Sequence, residues 1–159
     1  MKILVVSDTH KDNRNFFRVL EMECPFELLI HCGDTGDEEE MIEAAAQCRV
    51  EIVAGNVDYY SELPHEKIVE AGKYRFMITH GNTYYVNAGY EELGEAAKKN
   101  RVDFCFYGHT HCPSIESYDG IVMMNPGSLS YPRQEGKRPS YGILEIEDQE
   151  EPRYEIKYL

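Results

Sequence analysis

Residues 108–111 read GHTH, directly after the apolar run DFCFY. A histidine at a strand end is usually a hydrogen-bonded structural residue, and only partners elsewhere give it another role. Such partners recur along the chain. SDTH holds Asp8 and His10, HCGDTGD holds Asp34, GNVD holds Asn56, THGN holds His80, and GHTH holds His109 and His111, with Asp58 standing two residues beyond Asn56. Imidazoles, carboxylates and one amide suit Mn²⁺, Fe, Co²⁺, Ni²⁺ or Zn²⁺, and the set has too many nitrogens to favour Mg²⁺ or Ca²⁺. Each fragment alone is weak, since Asp-x-His can be a turn and Gly-Asn is a common turn signal. Seven such side chains together would be costly to bury as a purely structural network, so the set reads as a metal site.

The elements that must position these residues are legible as apolar stretches. KILVVS at 2–7, ELLIHC at 27–32 and VEIVAG at 50–55 are continuous runs of the kind found in strands covered on both faces. Between them, residues 14–22 carry Phe16, Phe17 and Leu20, and DEEEMIEAAAQC carries Met41, Ala45 and Cys48 at helical spacing behind an acidic lead. The first third therefore predicts β-α-β-α-β with parallel strands. KYRFMIT at 73–79 predicts a further strand, YEELGEAAKKN at 90–100 a helix burying Tyr90, Leu93 and Ala97, and VDFCFYG a return to the sheet. From SIESY onward, GIVMMN, SYGILEIE and RYEIKYL follow one another across Gly and Pro turns, so the second half is expected to be richer in antiparallel pairs. In an open α/β sheet, functional residues gather where strands end. Every candidate ligand lies just after a strand, which predicts all seven at one end of one sheet.

Length and charge narrow the partners. At 159 residues the chain is expected to form one domain, 1–159, with a sizeable core. A formal charge of −13, from 16 Lys and Arg against 29 Asp and Glu, repels phosphate backbones and argues against extended nucleic acid. The acidic runs DEEE and EIEDQEEPRYE read as solvated faces. No stretch approaches the roughly 20 apolar residues of a membrane span, and MKILVVSDTH turns polar too early for a signal-peptide core. The expected compartment is the cytoplasm, with no membrane partner. Five cysteines without a CxxC pair suit free thiols that serve as packing residues. Assembly into a homo-oligomer is compatible with all of this.

The ordered run D-x-H, G-D, G-N-x-D, H-G, G-H-x-H, with NPGSLSYPR at 125–133, resembles the calcineurin-like metallophosphoesterase superfamily, and most closely its small, cap-less prokaryotic phosphodiesterase branch. The matching motifs span residues 8–133. The resemblance implies an α/β fold in which two mixed β-sheets pack as a sandwich flanked by helices. Carried over residue by residue, it implies that Asp8, His10 and His111 hold one ion, that Asn56, His80 and His109 hold a second, and that Asp34 bridges both. It also implies two divalent transition-metal ions per chain, manganese foremost, and a small phosphodiester substrate. Hydrolysis would proceed by attack of a metal-bridging hydroxide, with Asp34, Asn56 and His109 central to catalysis. Two ions about 3.5–4 Å apart acidify a shared water and polarise phosphoryl oxygens, so no Ser or Cys nucleophile is required.

Other residues have two readings each. His31 is either a buried structural residue or an orienting partner of Asp34, and Asp58 either fixes its loop or hydrogen-bonds a ligand. Gly127 and Ser128 either present donors near the site or form a turn. Arg133 either offers its fork of donors to substrate phosphate or is a surface arginine. His65 stands outside every motif. One departure bears on the substrate: superfamily phosphatases acting on phosphoprotein, and related nucleases, usually carry GNH followed by an acid, the histidine protonating the leaving oxygen. Here that position is Val57, which donates no proton and favours diesters with stabilised leaving groups. The rival readings are a phosphomonoesterase or nuclease of the same superfamily, and a non-catalytic protein-binding scaffold resembling the retromer subunit. The acidic charge stands against a nuclease, and the complete set of seven ligands stands against a scaffold.

Overall fold

The computed structural model describes residues 1–159. In chain order the elements are β1 (Lys2–Val6), α1 (Arg14–Glu23), β2 (Leu28–His31), α2 (Glu39–Ala46), β3 (Arg49–Ile52), β4 (Glu66–Ala71), β5 (Tyr74–Thr79), α3 (Glu91–Lys99), β6 (Phe104–Phe106), β7 (Ser114–Tyr118), β8 (Ile121–Asn125), β9 (Ser140–Glu145) and β10 (Arg153–Tyr158). One sheet has the order β10-β9-β1-β2-β3 and the other β4-β5-β6-β8-β7. Both are mixed: β1, β2 and β3 run parallel, as do β5, β6 and β8, while β9, β10, β4 and β7 pair antiparallel.

The unbroken apolar runs follow from burial on two sides. Along β1, Ile3 and Val5 enter a core between the sheets together with Ile30, Phe76, Phe106 and Met124. Leu4 and Val6 enter a second core, against Phe16 and Val19 of α1 and Ile42 of α2. The outer face of the other sheet buries Met77, Cys105 and Met123 against Leu93 and Ala97 of α3. Period-two alternation thus sends the side chains of Ile3–Val6 in β1 into two different cores, and no position there is left for a polar residue.

One expectation needs correction, and two features of the fold add to the reading. VEIVAG does not continue as a doubly buried strand: β3 is an edge strand ending at Ile52, with Arg49 exposed and Glu51 paired to Arg49 and Lys67. β4 was not foreseen, because EKIVEA is half-buried and lacks a clean period. The second half does supply antiparallel pairs, yet β6 and β8 extend a parallel set begun by β5. That parallel set matters most for the site, since it gives the second sheet its own row of strand ends.

One buried polar knot ties α1 to the first sheet. Glu23 accepts hydrogen bonds from the Tyr141 hydroxyl at 2.7 Å and Lys157 at 3.1 Å, and pairs with Lys2 at 2.7 Å. Burial pushes its carboxyl up, but the donors of Lys2, Tyr141 and Lys157 outweigh burial and hold it below the usual range. A depressed carboxylate contributes stability that is complete above its unfolded-state pKa and is lost as pH falls through the folded one. Glu23→Gln should therefore cost about 1–2 kcal/mol at pH 7. The difference from the parent in urea unfolding should shrink once pH drops below the ordinary glutamate value of about 4.3. An equal difference at pH 3 and pH 7 would show that the charge contributes nothing.

Candidate metal centre

Loops leaving β1, β2 and β3 meet loops leaving β5 and β6 along one edge of the sandwich. Asp8, His10, Asp34 and Asn56 come from the first sheet, and His80, His109 and His111 from the second. The seven side chains therefore gather from two sheets, not from one end of a single sheet. Asp8, His10, Asp34 and His111 each bring a ligand atom into a cluster whose atoms all lie within 4.8 Å of one another. Asp34 Oδ2 sits between the two halves, 3.7 Å from His10 Nε2 and 3.3 Å from His80 Nε2. The His109 ring lies edge-on to that of His80 at 5.1 Å.

Hydrogen bonding decides what the cluster needs. Nδ1 of His80 donates to the Cys32 carbonyl at 2.8 Å, and Nδ1 of His111 donates to the Tyr131 carbonyl at 2.7 Å. A carbonyl only accepts, so each neutral ring keeps its proton on Nδ1 and presents a lone pair at Nε2. His111 Nε2 faces Asp8 Oδ1 at 3.1 Å and His10 Nε2 at 3.2 Å, while His80 Nε2 faces Asn56 Oδ1 at 3.1 Å. At the carboxylate and amide contacts of His80 and His111 acceptor faces acceptor, and the buried Asp8 Oδ1 has no hydrogen-bond donor. Such an arrangement repels itself unless a cation lies among the groups, and this donor set fits a divalent transition metal. The ionisation behaviour agrees. Burial pushes His80 down, but the Asp34 and Asp8 carboxylates outweigh it and raise its pKa. Burial opposes the Asp8 charge too, yet the imidazoles of His10, His111 and His80 around it hold that carboxyl far below its usual range.

The loops are held in costly conformations. Asp8, His10, Asp34, His109 and His111 all have positive φ, between 46° and 69°. Non-glycine residues adopt this region at a cost of about 1–2 kcal/mol each, which surrounding structure must offset. Around Asp34 that offset comes from Asp58. Its Oδ2 accepts from the backbone N–H of Gly55 at 2.7 Å and of Asp34 at 2.9 Å; its Oδ1 accepts from Gly36 N–H at 2.6 Å and Thr35 Oγ1 at 3.1 Å. Two glycines preceding ligands are required by close approach. A Cβ on Gly55 would fall onto Asp34 Oδ1, and one on Gly108 would meet Ser7 Oγ and lie 2.8 Å from Asp8 Oδ2.

The remaining candidates divide clearly. His31 is fully buried, accepts from Gly33 N–H at 3.2 Å and pairs with Thr9 Oγ1 at 3.2 Å, so it shapes the turn before Asp34 without touching the Asp34 carboxylate. Burial pushes its pKa down to about 4. The Ser128 hydroxyl donates to the Asp8 carbonyl at 2.8 Å and accepts from Tyr131 N–H at 2.8 Å, fastening one loop to another. Arg133 is exposed on a cleft that also contains His10 and His111. Three participants escaped the sequence reading: Tyr131, which fixes His111 through its carbonyl; Asn125, which donates to the Gly108 carbonyl at 2.8 Å; and Lys137, on the same cleft as Arg133. Backbone acceptors leave no mark in sequence, but Asn125, a polar residue ending an apolar strand, was a usable signal.

Residues 1–149 match the family model of the calcineurin-like phosphoesterase superfamily domain. A probable metallophosphoesterase of Methanocaldococcus jannaschii is 35% identical over 136 residues, covering 84% of this chain and 70% of that protein. A phosphodiesterase of the same organism is 30% identical, covering 94% and 96%. Among solved structures, a conserved Streptococcus pneumoniae TIGR4 protein described as a predicted phosphoesterase superimposes with a TM-score of 0.83 at 28% identity, covering 99% of this chain and 88% of that one. Entamoeba histolytica Vps29, complexed with zinc, superimposes with a TM-score of 0.79 at 22% identity over 99% of both chains, a likeness of fold alone.

Asp58→Ala leaves several buried N–H groups without an acceptor and should destabilise the protein by about 3 kcal/mol or more. Asp58→Asn keeps an acceptor oxygen and should cost less. Urea unfolding of both variants checks this; a loss below about 0.5 kcal/mol for Asp58→Ala, the range of an ordinary surface change, would contradict the assigned role.

Proposed function

The chain belongs to the calcineurin-like phosphoesterase superfamily, and from that premise we propose that it is a single-domain, binuclear metal-dependent phosphodiesterase of the cytoplasm acting on small phosphodiesters. The observation that carries the reading is the pair of lone-pair-bearing imidazoles, His80 and His111, turned onto carboxylate and amide oxygens. In this proposal Asp8, His10 and His111 hold one ion, Asn56, His80 and His109 hold the other, and Asp34 serves both. Manganese is the proposed metal. Divalent ions held there supply acidified water and polarised phosphoryl oxygens, the chemistry that hydrolysis of a diester needs.

The chain's own groups complete the site. The Val57 N–H donates to Asp34 Oδ1 at 3.0 Å, which leaves Oδ2 turned toward His10 and His80. The Cys32 and Tyr131 carbonyls hold their imidazoles in one tautomer, so no ring reorients during a turnover. Arg133 offers a planar fork of donors to a substrate oxyanion at the rim. The Val57 side chain supplies no proton to a leaving oxygen. Esters with good leaving groups suit such a site, whereas alkyl phosphomonoesters call for a general acid. The phosphodiesterase of M. jannaschii, similar along nearly its whole length, supports the diester over the monoester. No helix is long and apolar enough to cross a membrane.

The test compares an aryl diester with an alkyl phosphomonoester. The metal-loaded parent should hydrolyse the aryl diester and barely touch the monoester, and chelation should abolish both activities. Val57→His places an imidazole beside Asp58, and general acid assistance is worth about 10² to 10⁴ when well placed. The variant should gain on the monoester relative to the diester, with metal content measured alongside to exclude damage to Asn56. Diester turnover that survives chelation would overturn the proposal; an unchanged ratio at full metal content would remove Val57 as the determinant.

A further inference from the structure

The cleft beside the candidate metal centre, of about 560 Å³, is lined by His10 and His111 together with Tyr131, Arg133 and Lys137. Its position and its charge point in the same direction. The loop that carries these residues is fastened to the site at several points. Ser128 and Ser130 hydroxyls both donate to the Asp8 carbonyl at 2.8 Å, the Arg133 N–H donates to the His111 carbonyl at 3.0 Å, and the Tyr131 ring stands edge-on to His10 at 5.4 Å. A turn closed by Lys137 N–H to Gln134 O at 3.0 Å then brings the lysine back to the same cleft.

In a chain of charge −13, eight of the 16 Lys and Arg side chains sit against carboxylates, Lys2, Arg49, Lys67 and Lys157 among them. Arg133 and Lys137 are exposed, belong to the half without a carboxylate partner, and are the two cations that line this cleft. The scissile diester carries a single negative charge, which ions at the Asp8–Asp34 cluster would already meet. Two further positive charges, held on a loop anchored to the ligands, are more than such a substrate requires.

We propose that this cleft is a subsite for a second anionic group, so that the preferred substrates are phosphodiesters with one arm bearing an additional negative charge. The inference rests on the phosphodiesterase reading and specifies its substrate class. Arg133 supplies a fork of donors to the arm's oxyanion, Lys137 a mobile point charge, and the exposed Tyr131 ring a flat apolar wall for the arm itself. No new chemical step is involved; the subsite orients the ester and raises its local concentration against the repulsion of the rest of the surface.

The test uses matched probes with one leaving group, 4-nitrophenyl propyl phosphate and 4-nitrophenyl 3-sulfopropyl phosphate, on the metal-loaded full chain. Propyl and 3-sulfopropyl methylphosphonate, which do not turn over, report binding by calorimetry. The parent should favour the sulfopropyl arm about 5-fold or more at low salt, in both kcat/KM and Kd, and the preference should fade as salt screens the exposed cations. Lys137→Glu should bring the ratio to one or below, and Arg133→Ala should lower it. Equal values for the two arms in the parent would overturn the subsite, as would a preference that Lys137→Glu leaves intact. Failure of the phosphodiesterase reading looks different: neither ester is hydrolysed, while the phosphonates still bind with the arm preference.

Discussion

Two buried imidazoles, His80 and His111, each have one nitrogen committed to a backbone carbonyl and the other aimed at oxygen or nitrogen acceptors. Within a low-dielectric interior, lone pairs facing carboxylates are unfavourable without positive charge between them. Protons could supply that charge, and the raised pKa of His80 registers the demand. A divalent ion meets it better, because one ion binds several acceptors at once. The architecture around the cluster can be understood as what is needed to hold these mutually repelling groups together.

Holding them takes rigidity at loops, where rigidity is usually lowest. Parallel strands β1, β2, β5 and β6 end at one edge of the sandwich, so their loops start from fixed points. Five of the candidate ligands, Asp8, His10, Asp34, His109 and His111, then adopt left-handed conformations that they would not choose alone. Asp58 restrains the Asp34 loop through backbone donors, Asn125 restrains the GHTH loop, and Ser128 and Ser130 fasten the following loop to Asp8. Glycines at 55 and 108 let backbone and carboxylates approach more closely than any side chain would permit. Core burial supplies the stability on which this strained rim draws.

Much of this was legible in the chain. Apolar runs located β1, β2, β5 and β6, because both faces of each strand are buried and the pattern is unbroken. Polar residues just beyond the ends of those runs marked the candidate ligands, because several Asp, His and Asn side chains recur at the same kind of position. What stayed hidden depends on tertiary contact. Asp58 reads as a neighbour of Asn56, and only the fold shows its carboxylate inside a ring of amides. The origin of the ligands in two sheets required knowing that β5 begins a second parallel set. Tyr131 acts through its carbonyl, which every residue possesses, and Lys137 joins Arg133 only because a turn folds it back.

On the proposed reading, this cluster is complete only with cations. Equilibrium dialysis of chelator-treated protein against Mn²⁺, with bound metal counted by mass spectrometry, tests that claim most directly. Two ions per folded chain are expected, with a higher thermal midpoint on binding, and loss of occupancy at both positions in Asp34→Asn. A folded parent chain that takes up no Mn²⁺, Co²⁺ or Zn²⁺, and whose midpoint does not move, would contradict it.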